Sequence, residues 1–237
     1  MTNTHILGNN LVVETNLIVD QDLLSTLEQA LFLMQERLQA FASDPEFKQK
    51  IALAFGDCLN TGDLQAKWQS EDLSGFPALA IVSASELNGA NGAYALAANR
   101  IYLSEEFLSQ NQGDLGAIVA LLLEEYGHSV DGVLNRTDAP GDEGRIFAAL
   151  VMGESLSDEA LAQLKAEDDT GTISLNGQVI AVEMQNFTGD DGDNNITGTN
   201  ESDRIEGLGG NDNLNGLGGN DTLLGGDGND NLNGGAG

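Results

Sequence analysis

Apolar residues recur at helical spacing from Asp22 to about Ala42, where Leu23, Leu24, Leu27, Leu31 and Met34 form one stripe. Asp44-Pro45 marks the start of a second helix through Phe55. The run Pro77–Ser83 reads as a buried strand, and Asn91-Gly92 as a turn. Tyr94–Ala97 and Arg100–Leu103, joined at Ala98-Asn99, form a predicted hairpin. Ser104 caps a short helix, and Asp114 opens a long one, LGAIVALLLEEYGHSVDGVL. Further helices are predicted from about Glu143 to Met152 and from Ser157, an N-cap residue, through Lys165. Thr172–Leu175 and Gln178–Glu183 flank Asn176-Gly177, a strong hairpin signal. Trp68 and Phe76 belong to the core, as does Cys58.

After Thr188 the pattern changes. Units of nine residues begin at Gly189, Gly198, Gly207, Gly216 and Gly225, and Gly234 starts another that is cut short. The unit GGDGNDNLN from Gly225 fits G-G-x-G-x-D-x-U-x throughout, whereas the first unit has Asn194 in the Asp position. Such a unit is a tight turn followed by a short strand. The apolar eighth residue (Ile196, Ile205, Leu214, Leu223, Leu232) points inward, and the Asp supplies hard oxygen suited to calcium. With two units per turn, Asp203 stacks on Asp221 and Asp212 on Asp230. One apolar residue in nine is too little core to offset chain entropy, so residues 189–237 are expected to fold only with calcium. The motif resembles the RTX (hemolysin-type) repeats of proteins exported by bacterial type I systems. That resemblance implies a C-terminal parallel β-roll and a secreted, extracellular protein. It also implies type I secretion machinery as a partner.

The chain of 237 residues divides into an α+β region over 1–168, a connecting hairpin over 169–188 that covers the open end of the roll, and the repeats over 189–237. Its 38 acids and 9 bases give a formal charge of -29, which argues against nucleic acid and anionic membranes as partners. No apolar run is long enough to span a membrane, and the N-terminus has no signal-peptide pattern. The absence of an N-terminal signal fits type I export. The array breaks off inside a unit at Gly237, so the chain is read as truncated.

Candidate chemistry lies on the long helix. Glu124, His128 and Asp131 fall on one side, with Leu115, Ile118, Val119, Leu122, Tyr126 and Val130 on the opposite, buried side. Two acids and a histidine on one face suit a metal or an acid/base site. The order of strand, short helix, E-x-x-H helix, loop and acidic helix start resembles the zincin metallopeptidases of the gluzincin branch. The stretch 122–150 also resembles a segment of cyanobacterial RTX proteins. The zincin resemblance implies that His128 is a metal ligand, Glu125 the general base and Glu143 the third ligand. Glu124 stands where the family has its first histidine, which makes the site harder and opens it to Mn2+ or Fe2+ as well as Zn2+. Asp131 then orients His128. The resemblance further implies a peptide substrate, docked by main-chain pairing on an edge strand at Arg100–Leu103. The alternatives stay open. His128 can close a structural network with Glu124 or Asp131, and Asp142 and Glu143 can serve as helix N-terminal charges. The region is then a non-catalytic, adhesive module on a degenerate metallopeptidase fold.

Overall fold

The computed structural model describes the chain except residues 1–2, 8–10, 57–60, 89, 136–140, 167–169, 176, 185–186, 189–191, 198–203, 217–221 and 236–237. The chain opens with two short strands, β1 (Asn3–Ile6) and β2 (Val12–Thr15), that no sequence pattern announced. Helix α1 (Gln21–Ala42) follows. Asp20 caps it by accepting the Leu23 N–H at 2.7 Å. Its apolar stripe is buried as the spacing predicts, from Leu23 through Leu27, Leu31 and Met34 to Leu38.

Helix α2 (Phe47–Phe55) begins two residues beyond Pro45, because Asp44 accepts the Glu46 N–H and closes a separate turn first. A further helix, α3 (Gly62–Gln69), carries Trp68 into the core. There its indole N–H donates to the Tyr126 hydroxyl at 3.1 Å. Phe41, Phe47 and Phe147 pack edge-on or tilted around the Trp68 ring. The predicted core position Cys58 lies outside the described residues.

Strands β3 (Ala78–Val82), β4 (Gly92–Ala95) and β5 (Arg100–Ser104) complete the middle of a mixed sheet. β4 and β5 form the predicted hairpin with its first strand shifted two residues earlier. A 3-10 turn over Leu96–Ala98 and a left-handed Asn99 join them. Helices α4 (Glu105–Gln110), α5 (Leu115–Leu134), α6 (Glu143–Met152) and α7 (Asp158–Leu164) follow. Ser104, Asp114, Asp142 and Ser157 cap them by side-chain acceptance of a backbone N–H.

The hairpin β6 (Thr170–Leu175) and β7 (Gln178–Met184) turns at Gly177. β7 pairs antiparallel with β4. The sheet order is β1-β2-β3-β5-β4-β7-β6. Two expectations change here. The hairpin expected to connect the two regions is built into the sheet of the first one. The strand at Arg100–Leu103 is not an edge but is paired on both sides, with β3 and β4. Its main chain has no ladder left to offer a peptide.

The six C-terminal strands are β8 (Phe187–Thr188), β9 (Asn195–Thr197), β10 (Arg204–Glu206), β11 (Asn213–Asn215), β12 (Thr222–Leu224) and β13 (Asn231–Asn233). They alternate between two parallel sheets, β12-β10-β8 and β13-β11-β9. Leu214 pairs with Ile196 and Leu232, and Ile205 with Leu223, each eighteen residues away. Ile205 and Leu214 are fully buried, whereas Leu232 on the last strand is 45% exposed.

Candidate functional site

Helix α5 is buried on every side from Leu121 to Asp131. Strand β4, α1 and α6 all pack on it. The side carrying Glu124, His128 and Asp131 is therefore not an open face, in contrast to what a two-sided helix suggests. Two glycines close it. A Cβ on Gly127 would lie 2.7 Å from the Gly144 Cα, and a Cβ on Gly144 would lie 2.6 Å from both the Glu124 carbonyl oxygen and His128 Nε2. Only hydrogen at both positions lets the helices approach this closely.

That approach brings Glu143, in the first turn of α6, to His128. Its Oε1 lies 3.1 Å from His128 Nδ1, and both side chains are buried. They form one hydrogen bond, whose donor depends on the tautomer of His128. Burial pushes the Glu143 carboxyl above its ordinary value, an effect only partly countered by the bond to His128. Its other oxygen, Oε2, is buried with no hydrogen-bond partner, as is Asp142 Oδ2. The other Asp142 oxygen accepts the Arg145 N–H at 2.8 Å, the N-cap role open to it from the sequence. Asp131 accepts from Asn135 Nδ2 at 2.6 Å, and Asn135 also reaches the Phe55 carbonyl. The carboxylate that meets His128 Nδ1 is thus that of Glu143.

Glu125 is fully buried and turns toward the sheet. Its carboxylate fills the space a side chain at Gly92 of β4 would need. His128 turns instead toward α6. The resemblance to zincins requires Glu124, His128 and Glu143 to converge on one ion with Glu125 beside it. Glu143 occupies Nδ1, the place of a group that orients a ligating imidazole, while the Gly144 backbone closes on Nε2. Among the described residues no group of three or more His, Cys, Asp or Glu side chains comes together to hold a metal ion. In this arrangement Glu143 meets His128 at Nδ1 and Glu125 faces the sheet, so these side chains do not converge as the zincin resemblance requires.

The repeats present a different arrangement. Asp212 is buried, and its Oδ1 accepts the Asn194 N–H at 2.9 Å. Asp230 Oδ1 accepts the Asp212 N–H at 3.0 Å. Asp212 and Asp230 are thus brought together by the eighteen-residue turn, as the spacing predicts. Asp203 and Asp221 lie outside the described residues, although Arg204 and Thr222 beside them are paired in that same register. Asp212 Oδ2 is buried without a hydrogen-bond partner. It points at the first glycine of its own unit, Gly207, as the Asp230 carboxylate does at Gly225. The fourth glycines, Gly210 and Gly228, have φ of 106° and 144°, which a side chain would resist. A buried anionic oxygen beside turns rich in carbonyls fits a hard cation such as calcium.

Sequence reading missed the ladder beside these acids. Asn231 Nδ2 donates to Asn213 Oδ1 and Asn213 Nδ2 to Asn195 Oδ1, both at 2.7 Å, while Asn233 Nδ2 reaches Asn215 Oδ1 at 3.0 Å. The signal was present in the sequence. Asn recurs in the seventh place of the units at Gly189, Gly207 and Gly225.

Residues 188–223 and 207–237 match the family model of the RTX calcium-binding nonapeptide repeat, which spans four copies. No curated protein and no solved structure matches the chain.

Proposed function

We propose that the chain is an exported, calcium-dependent RTX protein. Its repeats wind into a parallel β-roll around calcium, and its N-terminal α+β region is a binding domain rather than a peptidase. The observation that carries this reading is the Asp212–Asp230 stack, with one buried carboxylate oxygen of Asp212 left for an ion. Asp203 and Asp221 are assigned the same role in the other row of turns. Bound calcium neutralises carboxylates that otherwise repel one another and disfavour the folded array. Export through type I machinery agrees with the match to RTX repeats, and no helix among the described residues is long and apolar enough to cross a membrane.

The binding-domain reading is supported by the closed α5–α6 contact. His128 and Glu143 form a buried clasp in the middle of it, and the expected edge strand is paired on both sides. A second reading, a metal-dependent peptidase acting through Glu125, is favoured by the proximity of His128 and Glu143 on adjoining helices. Metal content separates the two. Protein dialysed against calcium buffer is expected to hold calcium and no stoichiometric zinc, manganese or iron. One such metal per chain, lost in His128→Ala, would favour the peptidase. The calcium assignment is tested by titration followed by circular dichroism. Strand signal should appear with calcium in the parent protein, and at a higher calcium concentration in Asp212→Asn.

A further inference from the structure

The first repeat unit departs from its neighbours by an exchange of two adjacent residues. The units from Gly207 and Gly225 carry Asn and then Asp in their fifth and sixth places, whereas the unit from Gly189 carries Asp193 and then Asn194. The backbone is indifferent to the exchange. The Asn194 N–H donates to Asp212 Oδ1 at 2.9 Å, as the Asp212 N–H does to Asp230 Oδ1 at 3.0 Å. The Asn194 carbonyl accepts the Asn213 N–H at 2.9 Å, as the Asp212 carbonyl accepts that of Asn231 at 2.7 Å. What changes is where the charge lies. Asp212 is buried, and its Oδ2 has no hydrogen-bond partner. Asp193 is exposed, and its Oδ1 accepts the backbone N–H and Nδ2 of Asn211 at 2.7 and 3.1 Å. That capping needs no charge, because Asn211 Oδ1 accepts the Asn229 N–H at 3.1 Å one level further on.

The two levels of this row are therefore unequal. The sixth places of the turns from Gly207 and Gly225 offer two carboxylates, Asp212 and Asp230. Those of the turns from Gly189 and Gly207 offer one carboxylate, Asp212, and a neutral amide. Calcium affinity at a site of oxygen ligands depends on how many of them are charged. We propose that Asn194 makes the first level a low-affinity calcium step, so that the repeats load in two stages and the turns from Gly207 and Gly225 close first. This inference rests on the calcium reading above and adds to it an order of filling. The other row carries an acid in both sixth places, Asp203 and Asp221, so the deficit is confined to the level of Asn194. Asp190 and Asp191 precede the exchange and lie outside the described residues, and the test leaves both in place.

The test is a calcium titration of the whole chain followed by hydrogen exchange and mass spectrometry. In the parent protein, peptides covering 192–197 should gain protection at a calcium concentration about three-fold or more above that for peptides covering 225–235. The double variant Asp193→Asn with Asn194→Asp restores the order of the other units and keeps the formal charge at -29. It should close the interval between the two midpoints. Asp193→Asn alone keeps an oxygen to cap Asn211 and should leave the interval open. Coincident midpoints in the parent protein would overturn the inference, as would an unchanged interval in the double variant. Closure of the interval by Asp193→Asn alone would overturn it too, because removal of an exposed charge would then be the cause. Each of these results leaves calcium-dependent protection in place. Its absence from both sets of peptides would instead overturn the calcium reading, and this inference with it.

Discussion

Leu208 shows at the residue scale what the repeat demands. It occupies the second place of its unit, where the consensus has glycine, and its φ is 72°. The corresponding Gly226 has φ of 92°. A left-handed backbone costs a side-chain-bearing residue about 1 kcal/mol or more. Leu208→Gly is therefore expected to stabilise the calcium-loaded repeats by up to about 1 kcal/mol, after the greater chain entropy of glycine is set against it. A lower calcium midpoint in a titration would show this. Asp212→Asn acts in the opposite direction, because it keeps the shape but removes the anionic oxygen. The loss of a charged hydrogen-bond acceptor at a buried position is worth about 1.5–3 kcal/mol.

Glu143 is the other residue with a consequence for the folded state. Its carboxyl is raised above the ordinary value of 4.5, chiefly by burial, so the folded state holds that proton more tightly than the unfolded chain. The stabilisation from protonated Glu143 is complete below the unfolded value and is lost as pH rises through the folded one. The N-terminal region is expected to lose stability across that interval, and Glu143→Gln should flatten the loss. Denaturant midpoints measured from mildly acidic to neutral pH compare the two proteins.

Among the elements, the helices were the most legible in the sequence. The periodic stripe of α1 and the caps Ser104, Asp114 and Ser157 depend on neighbours a turn away, and each is found where expected. The four-residue strands β1 and β2 were not legible, because they are too short to show a period and are held by pairing with distant chain. The environment of the E-x-x-H segment was hidden for a related reason. Spacing on α5 correctly put Glu124 and His128 on one side, but whether that side is open depends on α6. The decisive residue there is Gly144, which carries no hydrophobic or charge signal. Gly144→Ala tests the closure. A methyl group there meets the Glu124 carbonyl and His128 Nε2, and overpacking of this kind costs about 1–3 kcal/mol. The gain in helix propensity, about 1 kcal/mol, offsets part of that. Net destabilisation in thermal or denaturant unfolding is the expected outcome, whereas an unchanged or raised midpoint would mean the helices are not in close contact.

For the molecule as a whole, the two regions are stabilised by different physics. The first has an apolar core shared by helices and sheet, from Leu27 and Met34 to Leu79, Ile101, Leu122 and Phe147. Of their inward residues, the repeats fully bury only Ile205 and Leu214; Ile196 and Leu223 are half-buried, and Leu232 is 45% exposed. Their amide ladder adds order, but each rung is exposed and exchanges easily for water. Calcium should therefore control the second region and leave the first nearly unaffected. The most direct test is hydrogen exchange by mass spectrometry on the whole chain, in millimolar calcium and in EDTA. Protection of peptides within 187–235 should appear only with calcium, while peptides from α1, α5 and α6 keep theirs in both conditions. Equal protection of the repeats in EDTA, or no protection in calcium, would contradict a calcium-built C-terminal array.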